Sequence, residues 1–219
     1  MQDFETEDQQ VEALKNWWKE NASSLLIGLA IGGATIGGWS WYKETQYHHG
    51  VDASDMYVSV LAQAENSPGG ISDTATVDKL VAGYSDTPYA ALSMLALAKS
   101  DIDLGNAEQA ASRLQWVINN AIEEEVAQIA RLRLVRLMLS QKQYDNAEKM
   151  LASNHPAAFD ALYEELKGDV FVAKGELEQA RVAYDKAIAR SENASRWLQL
   201  KRQNLGDSSF ENIGSNDSV

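Results

Sequence analysis

Three histidines, a run of three glutamates and a cluster of three arginines are the residues of this chain whose types invite chemistry. Their spacing decides how far each can go. His48 and His49 are neighbours, so on a helix their rings point about 100° apart and cannot share one metal ion. Both are expected in solvent, and His155 has no histidine near it in sequence. Glu123-Glu124-Glu125 opens a helical pattern, where carboxylates suit the positive end of the helix macrodipole, and reads as a solvated helix start. Arg131, Arg133 and Arg136 do not fall together on one stripe at 100° per residue, so the three do not indicate an anion site. There is no cysteine, and no Gly-x-Ser-x-Gly elbow, phosphate loop or His-Glu-x-x-His pair. No catalytic residue, metal ligand or cofactor is expected. The chain is read as a binder, not an enzyme.

Charge narrows what it binds. The formal net charge is −13 over 219 residues, and the stretch from Lys43 to Val219 holds 26 acidic against 17 basic side chains. Such a surface repels nucleic acid and anionic headgroups, and no dense Lys/Arg stripe offsets it. Nucleic-acid binding is not expected.

From Asn21 to Tyr42 the chain runs 22 residues without a charge. About 20 apolar residues at ~1.5 Å each cross the ~30 Å core of a bilayer. Trp17 and Trp18 stand at one edge, and Trp39, Trp41 and Tyr42 at the other, where interfacial aromatics belong. A cleavable signal peptide would have a basic leading region and a small-residue cleavage site; here the leading region is acidic and no clean site follows. Residues 21–42 are therefore expected to be an uncleaved transmembrane helix. Lys15 and Lys19 precede the span and only Lys43 closely follows it, which places the N-terminus inside. The bulk of the chain then lies on the extracytoplasmic side, the periplasm in a bacterium. Within the span, Gly28-x-x-x-Gly32 and Gly33-x-x-x-Gly37 are small-residue pairs that let membrane helices pack closely. These four glycines are the candidate contact with another membrane helix.

The remaining elements read as helices throughout. Prolines number three, and no segment alternates apolar and polar residues as a half-buried strand does. The fold class is all-α. Residues 1–20 form a cytoplasmic amphipathic tail, with Thr6 and Gln9 resembling a capping box. Residues 43–87 form a helical connector and first hairpin, interrupted at Asn66-Ser-Pro-Gly-Gly70. Residues 206–219, rich in Ser, Asn, Asp and Gly, are expected to be disordered.

Between these ends the chain repeats itself. Gly105-Asn-Ala-Glu-Gln-Ala110, Tyr144-Asp-Asn-Ala147 and Gly175-Glu-Leu-Glu-Gln-Ala180 align on Ala110, Ala147 and Ala180, at intervals of 37 and 33. That is close to the 34-residue period of a tetratricopeptide repeat. Residues 88–205 are expected to be a solenoid of such repeats, closed by a capping helix at 194–205. The third copy is the sharpest, with Gly168, Gly175, Ala180, Tyr184 and Ala187 at small, turn, small, aromatic and small positions. The middle copy is degenerate, with Val135 and Asn154 where small residues are expected. Counting from the anchor alanines puts Lys99, Arg136 and Asp169 at one equivalent first-helix position, facing the groove that such solenoids use for partners.

These residues carry a resemblance. Glu5–Asn21, the glycine-rich span, Thr87-Pro-Tyr-Ala-Ala-Leu and the Gly168-Asp169 repeat are similar, along essentially the whole chain, to the family of ancillary SecYEG translocon subunits (the YfgM type) of Gram-negative inner membranes. The resemblance implies a single-span protein with a periplasmic tetratricopeptide-like domain. It implies association with the SecYEG channel and with PpiD, a membrane-anchored periplasmic chaperone, and a role in assisting secreted and membrane proteins as they emerge. Unfolded or emerging polypeptides are the clients it implies, and it transfers no catalytic residue. A different reading of the anchor and the acidic tail at 1–20 is a membrane-bound regulator that sequesters a stress-response factor.

Overall fold

A computed structural model describes residues 7–67, 70–71 and 73–206, with side chains omitted at 7–9 and at 13. Among them there are helices and no strand, so the all-α expectation holds. The chain divides into two compact units at Asp52/Ala53. Helix α1 runs Glu7–Asn66 without a break at 20/21 or 42/43. Its stretch through the uncharged segment is exposed, including Leu29, Ile36, Trp39 and Trp41. It is the one helix among the described residues long and apolar enough to cross a membrane. The Thr6 capping residue and the tail from residue 207 lie outside the described residues.

The second unit begins where α1 starts to bury side chains. Ala53 and Val60 are fully buried in one core with Val77 and Leu80 of α2 (Ala75–Gly83), and Tyr57 packs on Tyr89 with ring centroids 5.7 Å apart. Gly70 has a left-handed φ of 71°, and a Cβ there would lie 2.0 Å from Ser100 Oγ. That close approach lets Ile71 N donate to Ser100 Oγ at 2.8 Å. Thr87 and Pro88 then start α3 (Pro88–Asp103) with proline in the first turn, where its missing N–H costs nothing.

Three helical pairs follow: α3 with α4 (Ala107–Asn120), α5 (Glu124–Ser140) with α6 (Tyr144–Leu151), and α7 (Asp160–Lys174) with α8 (Leu177–Arg190). A last helix, α9 (Arg196–Asn204), closes the series. Each pair turns on one left-handed residue five positions before its anchor alanine: Gly105 at φ 79°, Lys142 at 60° and Gly175 at 80°. After each, the next N–H reaches back to the first helix: Asn106 to Asp101 O at 2.7 Å, Gln143 to Met138 O at 2.9 Å, and Glu176 to Phe171 O at 2.8 Å. This is the hydrogen bond of a helix-ending Schellman turn. The middle turn meets the same geometry without glycine, a position where an L side chain is strained.

Packing repeats as well. Ala110, Ala147 and Ala180 are each fully buried, as are their slot partners Ala98 and Val135. In the third pair the slot holds Gly168, where a Cβ would lie 2.3 Å from the Tyr184 ring. Tyr184 in turn occupies the slot of Leu114 and Leu151, so the largest side chain of the row faces the smallest. The middle pair departs from the others: α6 has eight residues where α4 and α8 have fourteen each. The chain leaves the helix at Ala152 and reaches Pro156, whose ring and lost N–H bar an uninterrupted helix there.

Two outcomes follow for stability. Gly168→Ala is expected to destabilise the domain by about 1–3 kcal/mol through overpacking, and adding Tyr184→Leu should recover part of it by recreating the Ala98/Leu114 pairing. Lys142→Gly is expected to stabilise by roughly 0.5–1 kcal/mol by relieving the left-handed strain. Thermal melts of the full chain in detergent read both; a melt unchanged by Gly168→Ala would refute the close-packing account.

Candidate partner-binding surfaces

Helix α5 shows how the repeat sorts its side chains. Ala130, Leu134 and Leu137 join the core shared with α3 and α4, while Leu132 and Val135 join the core shared with α6 and α7. Between α5 and α7 sits a polar knot. The Tyr163 hydroxyl donates to Gln128 Oε1 at 2.5 Å, and Arg131 Nη1 donates to the same oxygen at 3.0 Å. His155 stacks on Tyr163 with centroids 3.7 Å apart and pairs with Asp160 at 3.2 Å. Gln128 is buried, and its carbonyl oxygen accepts both bonds, as a buried acceptor should. The knot therefore turns Arg131 inward and consigns it to structure.

Past its acidic first turn, where Glu124 and Glu125 are exposed, α5 presents one outward stripe: Ile129, Arg133, Arg136 and Ser140. The same slots on α3 are Leu92, Ala96, Lys99 and Asp103, and α3 is otherwise buried for most of its length. On α7 they are Leu162, Leu166, Asp169 and Ala173, of which Leu166 is buried in the second core and the others reach the surface. First helices α3, α5 and α7 lie side by side in that order, so the three stripes form one surface. Lys99, Arg136 and Asp169 sit in a row on it, in unlike states. Lys99 is exposed and bonded to Asp103 one turn on, at 2.6 Å. Arg136 is exposed and has no ion pair among the described residues. Asp169 is taken: Lys201 of α9 holds both its oxygens at 2.8 and 2.9 Å, and Tyr184 donates to it at 2.8 Å.

Lys201 also reaches Glu165 at 2.8 Å, so α9 closes the end of the face and sets one positive charge against two carboxylates of α7. Burial by itself pushes the Lys201 ammonium down, but hydrogen bonds to Asp169 and Glu165 outweigh it and hold the group above the ordinary lysine value. Burial, then the bond to Asp169, pushes the Tyr184 phenol well above the ordinary tyrosine value. At the other end of α7, hydrogen bonding to Glu148 at 2.7 Å raises Lys174.

The four span glycines belong to the other unit. No side chain or foreign backbone lies within 4 Å of the Cβ position at Gly28, Gly32, Gly33 or Gly37. Gly28 and Gly32 share one face; Gly33 and Gly37 share another, about 140° round the helix at 100° per residue. Each pair presents a shallow notch, but to different sides.

A family model described as a tetratricopeptide repeat-like domain matches residues 15–207. The chain is 30% identical over 208 residues to a protein named ancillary SecYEG translocon subunit from Escherichia coli (strain K12), a match spanning 94% of this chain and 99% of that one. Proteins of the same name from Haemophilus influenzae and Neisseria gonorrhoeae are each 26% identical, over 91% of this chain and 97% of theirs. This chain belongs to the family of ancillary SecYEG translocon subunits. No solved structure gave a match.

In this member of the family, counting from the alanines puts Lys99, Arg136 and Asp169 at one slot and says nothing of its neighbours. Arg133 lies on the same stripe as Arg136, while Arg131 does not, so two of the three arginines gather where the three do not. Two apolar rows also went unread: Leu92, Ile129 and Leu162 toward one end of the helices, and Ile102, Leu139 and Val172 toward the other. Ile129, Leu162, Ile102 and Val172 are all at least 38% exposed. Their signal was in the same offsets of 37 and 33 that fixed the repeat.

The α9 closure gives a pH dependence with a definite sign. Lys201 is raised in the folded state, so its contribution is complete below the ordinary lysine value and is lost as pH rises through the folded one. Tyr184 acts in the same direction, because the unfolded phenol ionises near pH 10 while the folded one stays protonated. Melting temperature is expected to hold from pH 7 to about 9.5 and fall beyond. Lys201→Met should lower it at pH 7 by about 1 kcal/mol equivalent and flatten the alkaline fall; an unchanged fall would refute the assignment.

Proposed function

We propose that this chain is a non-enzymatic inner-membrane accessory subunit of the SecYEG translocon. With a PpiD-type periplasmic chaperone, it assists the folding or passage of secreted and membrane proteins. Residues 21–42 are its span, residues 1–20 its cytoplasmic tail and residues 43–219 its periplasmic part. The glycine pairs Gly28/Gly32 and Gly33/Gly37 pack on other membrane helices, and the face carrying Lys99, Arg136 and Asp169 takes polypeptide partners. The observation that carries the reading is end-to-end similarity to a named translocon subunit, over 94% of this chain and 99% of that one. A helix long and apolar enough to cross a membrane, in a chain that matches a repeat-like domain, supports it.

Purification from mildly solubilised membranes, with co-purifying proteins identified by mass spectrometry, is expected to recover channel subunits and a periplasmic chaperone. Gly32→Leu/Gly33→Leu blocks both glycine faces and is expected to lose the channel while the protein still inserts. Recovery of only a soluble regulator would overturn the reading. Because the chain has no cysteine, Ser85→Cys provides a single labelling site on the exposed turn after α2. A membrane-impermeant maleimide should label it once the outer membrane is opened and the inner one left intact; labelling only after lysis would reverse the orientation.

A further inference from the structure

The outward stripe of α5 is a local reversal of the chain's charge. In a protein of net charge −13, Arg133 and Arg136 lie one turn apart, both exposed and neither in an ion pair among the described residues. No flanking carboxylate forms an ion pair with them among the described residues: Asp103 of α3 is held by Lys99, and Glu165 and Asp169 of α7 share Lys201, which offsets one of their two charges. Two free guanidinium groups therefore stand between the apolar rows that run through Ile129 on one side and Leu139 on the other. Guanidinium is the side-chain cation best shaped for a carboxylate, which it grips with two parallel hydrogen bonds. Ile102, Ile129, Leu162 and Val172, exposed in the rows beside it, favour a ligand with apolar side chains at matching distances.

Deepening the binding role given above to this face, and resting on it, we propose that it takes an extended polypeptide segment in which an acidic side chain lies between two apolar ones. The carboxylate sits on Arg133 and Arg136, and the apolar side chains sit on the Ile129 and Leu139 rows. Those rows are ten positions apart on α5, about 15 Å along the axis. A strand at about 3.3 Å per residue covers that distance in four to five residues. The segment selected is thus one with two large apolar residues about five positions apart and an Asp or Glu between them. Its recognition is by charge and spacing, and tolerates many sequences.

The test uses the full chain in lipid nanodiscs and fluorescence anisotropy of labelled peptides of about twelve residues. One peptide carries leucines five positions apart with a glutamate between them, and its twin carries lysine in place of the glutamate. The glutamate peptide is expected to bind at least about tenfold more tightly, with the advantage shrinking as salt rises. Arg133→Glu/Arg136→Glu should reverse the order of the two peptides, with circular dichroism unchanged because both side chains are exposed. Equal binding of the two peptides, or a preference that survives the arginine reversal, overturns the acidic specificity. If both peptides bind alike and Ile129→Asp/Val172→Asp, at two exposed positions, abolishes both, the binding role of the face stands while this specificity falls. If neither binds, and Ile129→Asp/Val172→Asp leaves chaperone and channel co-purification intact, the binding role falls as well. Residues 207–219 include Asp207, Glu211 and Asp217, so a chain ending at Gly206 is the last arm. A tenfold gain in affinity there would make the chain's own tail the occupant and overturn an external partner.

Discussion

The approach of two antiparallel helices at a small residue is what the rest of the second unit depends on. Ala110, Ala147 and Ala180 are each at 0% exposure. Their partners across the gap are sized to match, down to the bare Cα of Gly168 beneath the Tyr184 ring. A helix pair held this closely has a fixed angle, and the first helices of successive pairs then stand side by side. The exposed stripe of each first helix is simply what the two flanking cores leave over. Close packing inside the pair thus decides which residues reach the partner face.

The middle pair keeps this arrangement with weaker means. Its turn carries Lys142 in a glycine conformation, its slot holds Val135, and its second helix stops at Leu151. Buried hydrogen bonds stand in for the missing turns of helix. Gln128, Arg131 and Tyr163 tie α5 to α7, and the loop after α6 stays close by stacking His155 on Tyr163. Inside a low-dielectric interface such a network is strong when every member is satisfied. It also fixes the rotation of α5, sending Arg131 inward and Arg133 and Arg136 outward. Two arginines that look alike in sequence to a third serve a different purpose because one glutamine faces the next repeat.

The acidic surface and the basic stripe belong to one electrostatic arrangement. Excess carboxylates disfavour nucleic acid and anionic lipid, and the unpaired guanidinium groups of Arg133 and Arg136 are a local reversal of that charge. At the far end, Lys201 offsets one of the two charges of Glu165 and Asp169. The closing helix is therefore electrostatic as well as steric: it covers Tyr184 and Ala187 with Leu198 and halves the negative charge of that carboxylate pair.

Much was readable along the chain, for physical reasons that are local. A run of 22 uncharged residues is a membrane candidate wherever it occurs, because the cost of backbone and charge in hydrocarbon does not depend on tertiary contacts. The helical class followed from composition, and the repeat from small residues at intervals of 37 and 33, since close helix contact admits little else. Pairing was not readable. Lys99, Arg136 and Asp169 share a slot, yet only folding determined that Asp103, one turn away, engages the first, that the second stays open, and that α9 brings Lys201 onto the third from 32 residues away. A slot is set by helical period, which the sequence carries; the state of a charge is set by whatever the other elements bring within 3 Å of it, and only the tertiary structure decides that.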